Sequence, residues 1–235
     1  MRKQDVIQKI IDRVKAKTYL EIGVQKGKII GEIKAPYKVG VDPRFTFTAK
    51  VLIKKIFGLT RFKAFEKTSN YFFENYADNL LSEGIDVVFV DGLHTYNQSL
   101  KDVNNCMKYL NEGGVIILHD CNPLNYAGAY PVKESFDEVL EAAAKGDLPG
   151  WNGRWNGDTW KALVHLRIEH SELNIFTLDL HWGMGIITRG SGIQLKNISV
   201  EDLERADYSF LEKDRVNLLN LKPPKYLYEF LEEYK

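Results

Sequence analysis

Two short, unbroken apolar runs constrain the fold of this 235-residue chain more than any other feature of its sequence. Residues 86–90 read Asp-Val-Val-Phe-Val and residues 115–118 read Val-Ile-Ile-Leu, with an amphipathic stretch of helical spacing between them. Strands that are apolar on both faces are typical of parallel sheets, and parallel strands need long crossover connections such as helices. The runs therefore predict an α/β protein with a parallel sheet wound by helices.

The same alternation extends along the rest of the chain. Apolar residues at three-to-four spacing predict a first helix around residues 6–14. Shorter helices are expected from Gly27 or Lys28 and, with Pro131 in the first turn, through Phe136. Further strands are expected at residues 18–22, 37–41, 62–65, 175–178 and 184–188. The last two form a hairpin signal, so we predict a Rossmann-like, doubly wound, seven-stranded sheet, mostly parallel with an antiparallel edge hairpin, followed by C-terminal helices.

The composition argues against several classes of protein. Hydrophobic residues make up 44%, charged residues 27%, and the formal net charge is zero, which does not indicate a broad footprint for nucleic acid or an anionic membrane. Two cysteines, Cys106 and Cys121, are too few for a disulfide framework, and the N-terminus does not resemble a signal peptide. We expect a cytoplasmic protein with no nucleic-acid and no membrane partner. The sequence leaves open whether it forms a homo-oligomer. We also expect one domain over residues 1–198, with a substrate-side insertion at 124–174, and a helical extension at 199–235 packed on it.

The loop after the first strand carries the pattern Glu-x-Gly-x-x-x-Gly. Gly23 and Gly27 would let a ligand approach the backbone, and a helix that follows would offer its N–H groups. Asp42, at the end of the second strand, is placed to accept hydrogen bonds from both hydroxyls of a ribose. Glu21 could face a positively charged group of the ligand. The set predicts a ligand at the carboxyl ends of the strands, the alternative being a purely structural turn.

At these motifs the chain resembles the class I S-adenosylmethionine (SAM)-dependent methyltransferases, and its later part resembles a branch linked to sugar and natural-product methylation. The resemblance covers Tyr19 to about Pro123 and rests on residues 20–27, 39–43, 90–96 and 113–120. It implies SAM as the cofactor, with the methionine end near Glu21, the ribose at Asp42 and the adenine near Thr68. The cofactor-binding residues it implies are Glu21, Gly23, Val24, Gly27, Asp42, Pro43, Thr68, Ser69 and Asp91. Gln25 stands where such loops usually have a middle glycine.

The fourth and fifth strands each end in an aspartate, Asp91 and Asp120, and the resemblance makes these strands neighbours. Adjacent strands lie about 4.8 Å apart, and two carboxylates that close favour a bound cation. Mg²⁺ prefers carboxylates together with water and substrate oxygens. Such a metal would lower the pKa of a substrate hydroxyl. The resemblance to O-methyltransferases implies a metal at Asp91 and Asp120, with His119 or Asn122 completing the site. The alternatives are that Asp91 only caps the next helix and that His119 is part of the scaffold.

His94 offers a second route, because a neutral imidazole can take the hydroxyl proton directly. We therefore name Asp91, His94 and Asp120 as candidate catalytic residues, the alternative for His94 being a bracing hydrogen bond. The loop at 151–160 interleaves tryptophans with polar residues, which suits a sugar-like ring. Trp151 and Trp155 are candidate substrate contacts, or they pack the loop onto the core, which is the role expected of Trp160.

The function we predict is SAM-dependent O-methylation of a hydroxyl on a small polar, sugar-like or natural-product acceptor, with a divalent metal as an optional assistant. Two alternatives remain at this point. One is another nucleotide-dependent enzyme such as a dehydrogenase, against which the missing Gly-x-Gly-x-x-Gly fingerprint counts. The other is a non-catalytic module with a methyltransferase-like fold.

Overall fold

Local sequence signals account for most element boundaries in the computed structural model, which describes residues 1–234. The strands are β1 (Thr18–Ile22), β2 (Tyr37–Asp42), β3 (Lys63–Glu66), β4 (Ile85–Val90), β5 (Leu110–Leu118), β6 (Leu173–Leu178), β7 (Met184–Arg189) and β8 (Leu221–Lys222). The helices are α1 (Lys3–Val14), α2 (Ala49–Ile56), α3 (Ser69–Asn75), α4 (Ala77–Leu80), α5 (Tyr96–Tyr109), α6 (Phe136–Lys145), α7 (Thr159–Glu169), α8 (Val200–Arg205), α9 (Tyr208–Leu218) and α10 (Tyr226–Glu233). The predicted α/β, mostly parallel sheet is confirmed.

One compact unit comprises Met1–Gly92, Asp102–Ile117 and the chain from Leu227 onward. Its strands follow the order β3-β2-β1-β4-β5. β1 pairs in parallel with both β2 and β4, so that Ile22 lies beside Val41 and Val90. This register brings the carboxyl ends of β1, β2 and β4 to one edge of the sheet. Gly23 follows β1 at this edge, Asp42 is the last residue of β2, and Asp91 follows β4. The apolar stripe of α1 is buried, as the three-to-four spacing predicts.

The second compact unit comprises Leu93–Lys101 and Leu118–Tyr226, and its strands follow the order β7-β6-β8. β6 and β7 form the predicted antiparallel hairpin, in which Ile175 lies beside Ile187. Its turn places His181, Trp182 and Gly183 in left-handed backbone. Ser199 caps α8 in a capping box with Asp202, again as its sequence indicates.

Three expectations need correction. The sheet has eight strands rather than seven, because the two-residue β8 pairs with β6, a strand too short to leave a pattern. No helix lies between Ile22 and Tyr37, where the segment makes only turns, including a bond from the Gly31 N–H to the Gly27 carbonyl. Pro131 precedes α6 instead of starting it, because Ser135 and Glu138 form the capping box that begins the helix.

The division into a domain over 1–198 and an extension over 199–235 stays a prediction. Among residues 1–234, none of the helices has the length and apolar character needed to cross a bilayer.

Candidate active site

Gly23, directly after β1, is a position that only glycine can fill. Its φ is +86°, and a Cβ atom there would lie 1.8 Å from the backbone oxygen of Asp91. The Gly23 N–H donates to the Val41 carbonyl, and the Asp91 N–H donates to the Ile22 carbonyl. The first loop and the segment after β4 are therefore in backbone contact, without a side chain between them.

Asp42 organises the same loop. Its Oδ2 accepts from the Gln25 N–H at 2.8 Å and its Oδ1 accepts from the Arg44 N–H at 2.8 Å. Gln25 has φ +42°, a left-handed conformation that costs a non-glycine residue about 1–2 kcal/mol. The bond from Asp42 offsets part of that cost. This is the physical reason why glutamine can stand where related loops have glycine.

Glu21 lies on β1 with its carboxyl group buried. The Tyr19 hydroxyl donates to its Oε2 at 2.7 Å. Burial raises the pKa of Glu21 to about 8 and the charge of Asp91 adds to this, while the bond from Tyr19 opposes it. A positive group close to this carboxyl would favour its ionised form. The expected role of Glu21 at the methionine end of SAM stays a prediction.

Asp91 has a partner that the sequence did not indicate. Its Oδ2 lies 3.4 Å from the ammonium of Lys3, which α1 carries. The same ammonium lies 5.9 Å from the centre of the Phe89 ring. α1 thus places a cation beside this carboxylate. No local pattern could have found the pair, because 88 residues separate its members.

The other predicted cofactor residues lie in the same unit but differ in exposure. Val24 is buried, Pro43 and Thr68 are exposed and Ser69 is intermediate. The Thr68 hydroxyl accepts from the Tyr71 N–H and so caps α3. At Gly27 a Cβ atom would meet the ring of Phe47 at 2.8 Å, so packing requires this glycine whether or not a ligand is present.

In the second unit, three polar side chains, those of His94, His119 and Asn156, converge on the Asp120 carboxylate. The Asp120 carboxylate is buried, and its Oδ2 lies 3.3 Å from Nδ1 of His94 and 2.9 Å from Nδ1 of His119. Its Oδ1 accepts from the Asn156 amide at 2.5 Å. His94 and Asp120 both have left-handed backbone, with φ of +54° and +60°. Strained residues of this kind concentrate at functional sites, where the surrounding structure holds them in place.

The turn around Gly157 fixes His94. A Cβ atom on Gly157 would lie 1.9 Å from the His94 carbonyl oxygen, and its φ is +62°. The ring of Trp155 stacks on the His94 imidazole with centroids 5.3 Å apart and planes 24° apart. The Trp155 indole N–H donates to the Tyr130 carbonyl at 2.7 Å. The imidazole is therefore held on its backbone side and on one face.

The structure shows which side chains cap α5 and what surrounds Asn122. The start of α5 is capped by Asp158, whose Oδ1 accepts from the Tyr96 N–H at 2.6 Å, and by the Thr95 hydroxyl, which accepts from the Gln98 N–H. Asn122 is committed to the scaffold, since its amide donates to Asp179 and its oxygen accepts from Arg215.

Comparison with known proteins shows which fold and which domain the chain resembles. The fold matches a caffeoyl-CoA O-methyltransferase-like protein of Staphylococcus aureus at 17% identity and a TM-score of 0.53, over 80% of this chain and 82% of that one. It also matches the O-methyltransferase TomG of Streptomyces achromogenes, solved with SAM, at 13% identity and a TM-score of 0.52, over 80% of each chain. Residues 20–121 match the model of a family described as a methyltransferase domain. The chain has the fold of these O-methyltransferases, and its residues 20–121 resemble a methyltransferase domain.

One curated relative, an uncharacterized protein of Acanthamoeba polyphaga mimivirus, is 45% identical over 40 residues. That match spans 17% of this chain and 18% of the viral protein. The resemblance to a methyltransferase domain is confirmed over residues 20–121.

The structure gives the tryptophans of this chain different surroundings. Trp160 is buried in the core, as expected. Trp151 packs against an apolar cluster of Ala127, Val139, Ala142 and Leu148. Trp155 packs on the same cluster and also stacks on His94. Sequence reasoning missed Asn156, Gly157 and Asp158 as parts of this arrangement, although their Asn-Gly-Asp run was a turn signal.

Proposed function

We propose that this chain is a methyltransferase that transfers the methyl group of SAM to a hydroxyl group of a small polar acceptor, with His94 as the general base. The single observation that carries the proposal is the approach of His94 Nδ1 to the buried Asp120 carboxylate at 3.3 Å, on a ring that Trp155 and Gly157 hold. SAM supplies an electrophilic methyl group on a sulfonium.

The first unit supplies the cofactor contacts in this proposal. Each oxygen of Asp42 accepts one backbone N–H and retains a lone pair for a ribose hydroxyl. Gly23 leaves the backbone open at the end of β1, and Thr68 and Ser69 follow β3 at the same strand edge. Glu21, Val24, Gly27, Pro43 and Asp91 complete the proposed set.

The proton transfer follows from the orientation of His94. The proposal assigns a proton to His94 Nδ1, which lies 3.3 Å from the Asp120 carboxylate, and this leaves Nε2 with a lone pair. That nitrogen takes the hydroxyl proton as the acceptor oxygen forms its bond to the methyl carbon and the carbon–sulfur bond breaks. Asn156 and His119 keep the Asp120 carboxylate in place, so that the imidazole is oriented before the acceptor arrives.

A metal-assisted version fits the contacts less well. Asp120 already has an amide N–H at Oδ1 and two imidazole nitrogens at Oδ2. Asp91 has the Lys3 ammonium at 3.4 Å. A Mg²⁺ ion would have to displace or share these cationic and N–H partners. The proposed mechanism therefore uses His94 as the base and does not depend on a metal at Asp91, His119 and Asp120.

The acceptor class rests on the surroundings of His94. The indole face of Trp155 and the amide group of Asn156 lie within one short turn. An aromatic face beside hydrogen-bonding groups favours a hydroxylated ring over an extended apolar substrate. Trp155 is the substrate contact we propose, and Trp151 remains a candidate whose packing is mainly apolar.

The test is His94→Gln, with His170→Gln as the matched control. Gln keeps polarity and approximate size but cannot act as a base, so kcat on an accepted hydroxyl acceptor should fall about 10²–10⁴-fold. The Kd for SAM by calorimetry should stay within about twofold. His170 contacts only an exposed Glu172 among the pairs described, and its variant should keep full activity. Unchanged kcat in His94→Gln would overturn the assignment of the base.

The metal question has a separate readout. Activity should persist after exhaustive treatment with EDTA and should not rise when Mg²⁺ is restored. A loss that Mg²⁺ alone reverses would replace this mechanism with the metal-assisted one.

A further inference from the structure

Helix α2 presents its apolar face outward, which is the reverse of the usual arrangement in a globular protein. Only Val51 on this helix is fully buried, while Leu52, Ile53 and Ile56 are exposed. At about 100° per residue these three side chains share one arc of roughly 100° opposite Val51. Phe57 and Leu59 continue the exposed apolar surface past the end of the helix.

Cations surround this apolar arc. Between Arg44 and Lys67 the chain has seven Lys and Arg residues and one acidic residue, Glu66, although the whole protein has a formal net charge of zero. Lys50 flanks the arc on one side and Lys55 on the other, and Arg61 and Lys63 follow. We call residues 49–63 the α2 surface.

The inner side of the α2 surface packs against neighbouring side chains. The Lys55 ammonium lies 4.3 Å from the centre of the Phe62 ring, and Phe62 packs edge-on against Phe47. The buried Lys38 ammonium donates to the Thr60 hydroxyl at 2.8 Å. The inner contacts thus use Val51, aromatic rings and lysine stems, which leaves the aliphatic side chains of α2 directed outward.

We propose that the α2 surface docks on an anionic lipid bilayer, a role beyond the methyl transfer described above. A helix with exposed Leu, Ile and Phe side chains between flanking lysines matches the chemistry of an interfacial membrane helix. The apolar side chains enter the boundary between headgroups and acyl chains, and the cations meet the lipid phosphates. The expectation of no membrane partner rested on the net charge of the whole chain, which conceals this local excess.

Two other occupants fit the surface less well. A second copy of the chain, related by a twofold axis, would bring two surfaces of the same positive charge together. A nucleic acid would satisfy the cations but would leave the aliphatic side chains of Ile53 and Ile56 without an apolar partner.

The test is flotation of the full chain with phosphatidylcholine vesicles, with and without phosphatidylglycerol. We expect binding only to the vesicles that contain phosphatidylglycerol, and we expect it to weaken strongly at high NaCl. Ile56→Asp should lower the apparent affinity roughly tenfold or more, because it removes an inserted side chain and adds a negative charge. Ile193→Asp is the matched control, since Ile193 is 75% exposed and Ile56 is 79% exposed.

A charge-reversal pair tests the electrostatic part. Lys50→Glu should lower the affinity roughly tenfold, while Lys145→Glu should not change it. The two lysines are matched, with side chains 75% and 67% exposed and a glutamate oxygen 3.8 Å and 3.9 Å away. Circular dichroism and SAM binding should be unchanged in all four variants.

Three results would overturn the proposal. The first is no binding, or equal binding to vesicles without phosphatidylglycerol. The second is a dimer in sedimentation velocity that Ile56→Asp dissociates, which would assign the surface to a second copy. The third is binding to a DNA oligonucleotide that Lys50→Glu abolishes and Ile56→Asp leaves intact, which would assign it to nucleic acid.

Discussion

The two compact units hold their candidate functional residues in opposite ways. In the first unit, Asp42 and Gly23 are held by backbone hydrogen bonds between segments that the parallel register aligns. In the second unit, side chains hold one another, because Asp120 lies among His94, His119 and Asn156. A scaffold made of backbone fails where an added atom collides with it, whereas a side-chain cluster loses its geometry when any one member is removed. We therefore expect substitutions in the second unit to affect kcat and those in the first to affect binding of SAM.

The sharpest test of this contrast is Asp120→Asn. The amide keeps the size of the carboxylate but loses the negative charge that faces both imidazoles. We expect kcat to fall about 10³-fold, within the range for a misoriented base, and Kd for SAM to change less than about threefold. Asp158→Asn is the control, because its Oδ1 can still accept from the Tyr96 N–H. If both variants lost kcat equally, the effect would reflect the fold of the loop and not the orientation of His94.

Gly23→Ala probes the backbone-built half. The added Cβ atom would lie 1.8 Å from the Asp91 oxygen, so the first loop must move. We expect the Kd for SAM to rise by about 10²-fold or more, since a backbone cradle that shifts loses several contacts together. Gly58→Ala has a similar positive φ and an open environment, with only an arginine tip at 3.8 Å. Its Kd for SAM should match that of the wild type.

Gly157→Ala, compared with Gly153→Ala, separates the cost of left-handed backbone from the cost of a steric clash with His94. Gly157 and Gly153 both have positive φ, at +62° and +79°, but only Gly157 lies against the His94 carbonyl oxygen. Each variant should lose about 1–2 kcal/mol of unfolding free energy from the left-handed backbone. Gly157→Ala should lose roughly 2 kcal/mol more and should also lower kcat, as measured by urea denaturation and by initial rates. Equal losses would mean that the Gly157 turn does not position His94.

The same contrast explains what sequence could predict. The strand ends, Gly23 and Asp42 follow from apolar runs and glycine spacing, all local properties of about 25 residues. The link between His94 and Asp120 depends on a turn at Asn156 and Gly157 that lies over 30 residues away in the chain. The Lys3 contact to Asp91 spans 88 residues. No helix over residues 49–56 was predicted from the sequence, and the direction of its apolar face could not be predicted because amphipathic periodicity reports an apolar stripe without saying which way it points.

The smallest expected effect concerns Glu21, whose raised pKa belongs to the first unit. Because the pKa of its carboxyl is about 8 in the folded protein and near its ordinary value of 4.5 when unfolded, the native state binds the extra proton between these values. The free energy of unfolding should therefore fall as pH rises from about 5 to 8, by at most about 1.4 kcal/mol per pH unit. Glu21→Gln should remove this slope in urea denaturation. If Glu21 meets the ammonium group of SAM, calorimetry of the wild type near pH 7 should show proton release on binding, and Glu21→Gln should not. Binding without proton release would separate Glu21 from the cofactor and leave it a structural partner of Tyr19.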